Sequence, residues 1–486
     1  MTSVCCYFEV HQPYRVRPYD VFQIGSEHDY FDEQLNGDIM RKVARKCYLP
    51  ANAAMLALIE RYQGRFKVAY SITGVALEQM QRHAPEAIDS FKKLVDTGCV
   101  ELLAETYYHS LSVLYDAAEF REQVAMHGRL IKSLFGVTPT VFRNTELVYD
   151  DRIGREIEKL GYRAVLAEGA DDVLAWRSPN FVYRAARAQG ESKLAVLLKN
   201  YRLSDDIAFR FSNHAWAEYP LTADKFARWV HDVDGIGDTV NLFMDYETFG
   251  EHQWEETGIF QFLQHMPAAV LADPRFSFKT PSETVDSYAK GAPLAFSRTV
   301  SWADAERDLT AWRGNEMQSR ALSRIFELGE RVKRRNNPML LSLWRKLTTS
   351  DHFYYMCTKW FSDGDVHAYF SPYESPYEAF INYMNAVTDL EESIMQPTQA
   401  LQLEARVRPA DDRVRATDER VRSGDERVRV TDERVRSSDE RVRATDARAR
   451  ATDERVRAIE DRGRSTDDRL RITEKAAPTR QPSLRV

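Results

Sequence analysis

Through the first 300 residues, short apolar runs alternate with stretches of helical period. SVCCYFEV (3–10), RFKVAYSI (65–72), CVELLAE (99–105), TPTVFRN (138–144), RAVLAE (163–168), KLAVLLKN (193–200) and TVNLFMD (239–245) read as strands. Between several of them, residues 38–62, 86–98, 117–136, 151–161 and 222–235 read as helices. Gly or Asp often punctuates the helix ends, as helix starts and stops require. Strand, helix, strand alternation implies parallel strands wrapped by helices, and seven or so such units predict an α/β barrel over residues 1–300. From 301 to 398 the pattern changes to three successive helices, at 305–335, 338–360 and 375–395, predicted to pack as a helical bundle against the barrel.

A sharper boundary lies near residue 400. From Arg406 to Lys475 the chain repeats every seven residues in ten copies, of which RVRATDE is typical. Each copy carries about one aliphatic residue and no aromatic one. On a helix, Asp418 stands four residues before Arg422, the favourable order for an ion pair. A coiled coil needs two apolar positions per heptad, and here the second is mostly Thr, Ser, Gly or Ala. The tail, 399–486, is therefore expected to be a charge-paired solvated helix or a fluctuating chain. Self-association or a protein partner through the heptads is the alternative, and catalysis is not its role.

Composition narrows the rest. At 43% hydrophobic and 11% aromatic residues, the chain can bury a large core. Net charge is −7; the repeat holds 21 basic against 18 acidic residues and the last eleven residues add two arginines, so the first 405 carry −12. An acidic body repels phosphate backbones, which argues against nucleic acid as a partner. No run approaches the roughly 18 apolar residues of a membrane helix. MTSVCCYFEVHQP has neither a basic leader nor a small-residue cleavage site, so the expected location is cytoplasmic. Five scattered cysteines without a C-x-x-C pair suit buried, reduced thiols and not a zinc site.

In a parallel barrel the active face is built from strand C-termini and the loops after them. Those positions hold His11, Gln12 and Arg15; Glu78; Glu105, Tyr107, Tyr108 and His109; Arg143 and Glu146; Asp245 and Glu247. Acids, imidazoles and aromatic rings gather at one end, and no glycine-rich phosphate cradle is present. Two carboxylates on facing strands suit glycoside hydrolysis, one attacking the anomeric carbon and the other protonating the leaving oxygen. His, Gln and Arg would bond sugar hydroxyls, with His109 a candidate, and Phe249 and Trp254 would shape the cleft. Each residue also has a plainer reading: a helix start for Glu146, a strand-end cap for Asp245, a pair with Arg82 for Glu78, a loop imidazole for His11, a backbone bond for His109, a helix cap for Asp351. A metal-dependent hydrolase using His11, Asp245, His252 and His352 is a rival reading, although their spacing shows no H-x-x-x-H pattern. A non-catalytic glycan-binding protein is another.

Five short regions carry a further signal: HQP (11–13), GVALEQM (74–80), FRNTELVY (142–149), MDYETFGEH (244–252) and TSDHFYYM (349–356). Together, in this order, they resemble glycoside hydrolase family 57, a family of α-glucan-active enzymes, in its α-amylase-like branch. The resemblance covers roughly residues 1–395. It implies a (β/α)7 barrel with a helical bundle, retention of anomeric configuration, and no cofactor or nucleotide; no metal ligand is expected. It implies Glu146 as nucleophile and Asp245 as general acid/base, with His11 and Glu78 on sugar hydroxyls and Asp351 reaching in from the bundle. The implied substrate is an α-1,4-glucan such as starch, glycogen or maltodextrin; 4-α-glucanotransferase or branching activity on the same scaffold is the alternative. The heptad tail has no counterpart in the resemblance.

Overall fold

The strands, in chain order, are β1 (Thr2–Val10), β2 (Val68–Ile72), β3 (Val100–Leu102), β4 (Val141–Arg143), β5 (Ala164–Glu168), β6 (Tyr183–Ala185), β7 (Ala195–Lys199), β8 (Thr239–Asp245), β9 (Phe276–Phe278) and β10 (Pro293–Leu294). The computed structural model describes residues 1–359 and 371–395, and Met1–Met395 form one compact unit. The expected heptad-repeat tail lies outside the described residues.

β1 organises the first sheet. It pairs in parallel with β8 along Ser3–Glu9, with β2 along Tyr7–Val10 and with β9 along Thr2–Val4, and β3 joins beyond β2. The second sheet runs β10-β6-β7-β5-β4, parallel except where β6 meets β7. Among the described residues, the backbones of the two sheets join at two junctions. Ala104 bridges Phe142 in parallel, and the Asn200 N–H donates to the Asn241 carbonyl at 2.9 Å. Among the described residues these contacts do not amount to a closed ladder.

Strands buried on both faces are apolar at both parities, and here the parities separate into two clusters. Cys5 and Tyr7, Ala69, Leu103, Val141, Ala164 and Leu166, Ala195 and Leu197, and Phe243 pack together. The intervening Val4, Cys6, Phe8 and Val10, Val68, Tyr70 and Ile72, and Val240, Leu242 and Met244 pack against the helices. Side chains alternate along a strand, so the next residue on the first face lies two positions on. Those residues are Glu9, Ser71, Glu105, Arg143, Glu168, Lys199 and Asp245. One layer beyond an apolar floor, each of these seven strands presents a polar or charged group.

The helices depart from expectation in places. Residues 38–62 divide into Glu33–Val43 and Leu49–Arg61, joined by a π-helical turn, Ala44–Tyr48. GVALEQM belongs to the helix Gly74–His83, capped by Thr73. Ile259–Leu271 is a helix despite Pro267. In the bundle, the stretch from 305 breaks at Gly314 and Asn315, where Asn315 and Gln318 form a capping box for Glu316–Arg334. The second bundle helix ends at Leu347, and a new short one, Ser350–Tyr354, follows; the third spans Pro376–Met395. All five cysteines are buried and unpaired. Among the described residues no helix is long and apolar enough to cross a membrane.

Candidate active site

A cavity of about 520 Å³ opens over the strand ends, lined among others by Glu9, His11, His109, Glu146, Asp245, Trp302 and Asp351. Five of the six predicted site residues therefore meet in one place. Glu78 does not line this cavity. It lies on the helix Gly74–His83 and accepts hydrogen bonds from Tyr107 Oη (2.7 Å) and Tyr14 Oη (3.2 Å). Its expected partner Arg82 pairs with Glu33 instead.

Glu146 sits in a tight turn after β4 with φ 57° and ψ 25°, a left-handed conformation, and Leu147 follows with φ 51°. Three donors converge on its carboxylate: Trp302 Nε1 at 2.8 Å, His109 Nε2 at 3.2 Å and Ser350 Oγ at 3.2 Å. Burial pulls its pKa up, but the His109 bond, the His109 charge and Arg143 outweigh it and hold the carboxyl below its ordinary value. Trp302 reaches Glu146 because Tyr149 and Val300 pair as an antiparallel bridge and the Trp302 N–H donates to the Glu146 carbonyl.

Asp245 ends β8, beside Glu9 in the register of β1. No hydrogen bond from a described residue reaches its carboxylate. Burial first, then the charge of Glu146, raise its pKa to about 6, against the opposing pull of Arg143, Lys199 and His109. The two carboxyls thus move in opposite directions, and below about pH 6 the proton that is retained belongs to Asp245.

His11 and Asp351 form a second unit. His11 Nε2 lies 2.9 Å from Asp351 Oδ2, and Nδ1 lies 2.9 Å from Thr73 Oγ1. Burial, reinforced by His109, lowers His11 below the ordinary imidazole range. The neutral ring therefore donates to Asp351 and accepts from Thr73. Asp351 is held well below the usual carboxylate range: burial opposes this, and His11 and His109 overcome it. Asp351 arrives from the bundle because the loop after β3 docks there. The Ser350 N–H donates to the His109 carbonyl at 2.9 Å, and Thr349 Oγ1 donates to the Tyr108 carbonyl at 2.9 Å.

Nitrogen and oxygen atoms of His11, His109 and Asp351 lie within 4.8 Å of one another, as do those of Glu9, Glu105 and His109. A metal ligand must offer a bare lone pair. Both His11 nitrogens are taken, and both His109 nitrogens face carboxylates, so these clusters are built as hydrogen-bonded units. The rival metal set does not assemble: His352 Nε2 is directed to the Lys346 carbonyl (3.1 Å), away from the cavity lining.

Several site groups escaped sequence reasoning. Glu9 is submerged in the run SVCCYFEV; its signal was a shared strand parity with His11. Trp302 carries no local signal. The expected cleft aromatics are elsewhere: Phe249 is buried against Phe8, and Trp254 is exposed beside Lys46. A 3₁₀ turn, Tyr246–Thr248, turns Phe249 into the core.

Comparison with known proteins places the chain in a family. Residues 5–294 match the family description "Glycosyl hydrolase family 57". The "Putative alpha-amylase" of Methanocaldococcus jannaschii is 43% identical over 397 residues, 79% of this chain and 83% of the relative. Among solved structures, 4-alpha-glucanotransferase from Thermococcus litoralis aligns with a TM-score of 0.55 at 16% identity, over 79% of this chain and 59% of that one. A GH57 branching enzyme from Thermococcus kodakaraensis aligns with a TM-score of 0.52 at 14% identity, over 80% of this chain and 95% of that one. The matched span and the identity to the first relative are decisive: the chain belongs to glycosyl hydrolase family 57.

Proposed function

We propose that this glycoside hydrolase cleaves α-1,4-linked glucan with net retention, Glu146 acting as nucleophile and Asp245 as general acid/base. One observation carries the reading: two carboxyls line one sugar-sized cavity with pKa values displaced in opposite directions. Glu146, ionised, attacks the anomeric carbon and forms a glycosyl ester. Asp245 gives its proton to the departing oxygen. Esterification removes the Glu146 charge that helped raise Asp245, so Asp245 becomes the more acidic group and takes a proton from the incoming water. Asp351 and His11 are assigned to sugar hydroxyls and Trp302 to the sugar face. A carboxyl spacing of about 5–5.5 Å suits this course.

The same reading takes the two sheets as a (β/α)7 barrel, in the order β1-β2-β3-β4-β5-β7-β8, supported by the hydrogen bonds at Ala104 and Asn200. It assigns residues 1–300 to that barrel, 301–398 to the bundle that completes the site, and 406–475 to self-association or partner binding. Hydrolysis is favoured by the α-amylase name of the 43%-identical relative. Transfer or branching is the second reading, favoured by the names of the aligned structures.

Product analysis on maltoheptaose tests all three. Short products alone mean hydrolysis, longer ones transfer, and a new α-1,6 linkage branching. Glu146→Gln is the control: it keeps size and shape but not charge or nucleophilicity. Turnover is expected to fall by ~10³-fold or more, about 4 kcal/mol of transition-state stabilisation, with the circular dichroism spectrum retained. Wild-type-like turnover in that variant would remove Glu146 from the mechanism.

A further inference from the structure

The cavity has a second wall that the catalytic assignment leaves unused. Lys199, Asp205, Phe209 and Arg307 line it beside Asp245 and Trp302. Phe209 is the anomaly among them. It follows the helix Tyr201–Ala208, where Ile207, Ala208 and Phe211 are all buried, yet its own ring is 56% exposed. A large ring kept out of the core and held at a cavity mouth offers its face to a ligand. The rest of the wall is polar. Lys199 Nζ donates to Asp205 Oδ1 at 3.0 Å and stands 5.3 Å from the centre of the Trp302 ring. Asp205 Oδ2 receives no hydrogen bond from a described residue; Arg307 Nη2 is 3.8 Å away. The Arg307 guanidinium lies 3.7 Å from the centre of the Tyr201 ring, and Arg298 Nη1 holds the Arg307 carbonyl at 2.8 Å. One open carboxylate oxygen and two cationic donors thus stand beside an aromatic face. A sugar unit matches that set: its hydroxyls pair with charged donors and acceptors, and its C–H face lies on a ring.

This wall belongs to the strand of Asp245 and not to that of Glu146. The Phe243 N–H donates to Ser204 Oγ at 3.2 Å, and Gln253 Nε2 donates to the Ala208 carbonyl at 2.9 Å. The helix Tyr201–Ala208 is therefore tied to β8 before Asp245 and to the loop after it. β1, which leads to His11, flanks β8 on one edge, and the Asn200–Asn241 bond puts β7 with Lys199 on the other. An acid/base gives its proton to the oxygen between two sugars, so one sugar lies to each side of it. His11 and Asp351 take one side. We propose that Phe209 underlies the sugar that departs on the other side, with Lys199, Asp205 and Arg307 on its hydroxyls. The inference deepens the proposed function and rests on Asp245 being the acid/base.

The test compares two substrates of the full-length protein: maltoheptaose, whose leaving group is a sugar, and α-maltosyl fluoride, whose departing fluoride fills no sugar subsite. In Phe209→Ala, kcat/KM on maltoheptaose is expected to fall about fivefold further than on the fluoride, the scale of one aromatic contact. Phe209→Trp, which keeps a ring face, is expected to close most of that gap. Truncating an exposed ring spares the core, and an unchanged thermal midpoint checks it. Equal losses on the two substrates would put the ring under the attacked part of the chain, and no loss on either would take it out of the site; each overturns the proposal. If wild type turned over neither substrate, the proposed function would fall, and calorimetric titration with maltoheptaose would decide the subsite alone. Binding about fivefold weaker in Phe209→Ala than in wild type would keep Phe209 as a sugar contact, and equal binding would remove it.

Discussion

Glu146 occupies a backbone conformation that its side chain disfavours. Glu146, Leu147 and His109 all have φ near 50°, and such residues cost of order 1–3 kcal/mol each. The turn persists because Asn144 Nδ2 donates to the Val148 carbonyl and Trp302 pins the Glu146 carbonyl, so strain is held where the nucleophile must point. Trp302 therefore has two tasks, and Trp302→Phe separates them by removing the indole N–H alone. A hydrogen bond to a charged group is worth about 1.5–3 kcal/mol, so kcat should fall about 10- to 100-fold. The sign of the pH effect follows too. The N–H favours ionised Glu146; without it the carboxyl pKa rises, and the acid limb of kcat/KM should move to higher pH. An unchanged acid limb would mean that the bond does not hold the charge. The other limb belongs to Asp245. Its pKa is raised to about 6, so the required proton is present below that pH and lost above it. The kcat/KM profile is expected to fall tenfold per unit above about pH 6, and Asp245→Asn, which cannot titrate, should flatten that limb at a much lower rate.

At the scale of elements, the site depends on close approach between pieces that bring no catalytic group themselves. Gly74 opens the helix Gly74–His83, and a Cβ there would lie 2.5 Å from the Tyr107 ring. Tyr107 begins the turn that carries His109. Gly74→Ala is expected to lower stability by about 1–3 kcal/mol, as overpacking does, and to lower kcat as the turn shifts; thermal denaturation beside kinetics checks both, and an unperturbed midpoint would show that the ring has room to move. Legibility divides along the same line. The seven main strands were readable because burial on both faces makes them continuous apolar runs. Glu146, Asp245, His11 and His109 were readable because each follows such a run, where side-chain parity points into one mouth. Glu9 was hidden by its own strand, since one acid inside an apolar run breaks no period. Trp302 could not be read at all: only the pairing of Tyr149 with Val300 brings it to Glu146. Phe249 misled because a 3₁₀ turn resets the parity carried along β8. The break between Leu347 and Ser350 was missed because both sides have helical period, although that break is what lets Asp351 begin a new helix at the cavity.

At the scale of the whole chain, charge and chemistry are divided at the same boundary. Every group assigned to the site belongs to Met1–Met395, while the ten-copy repeat begins beyond it at Arg406. Residues 1–405 carry −12 and residues 406–486 carry +5, so the two segments differ in sign as well as in composition. A neutral glucan feels neither net charge, and steering of the kind charged ligands experience is not available to it. If the tail serves association and not turnover, a chain ending at Met395 should keep kcat/KM for maltoheptaose within about twofold, the tolerance expected of distant, uncoupled parts. The same truncation should change what the tail does contribute, and light scattering at low and high salt is the matching measurement. An assembly formed through alternating Arg and Asp would weaken as salt screens exposed charges over about 8–10 Å, and it would be absent from the truncated chain. A tenfold loss of kcat/KM on truncation, with the body still folded, would place a group required for turnover beyond Met395 and would make the repeat part of the enzyme.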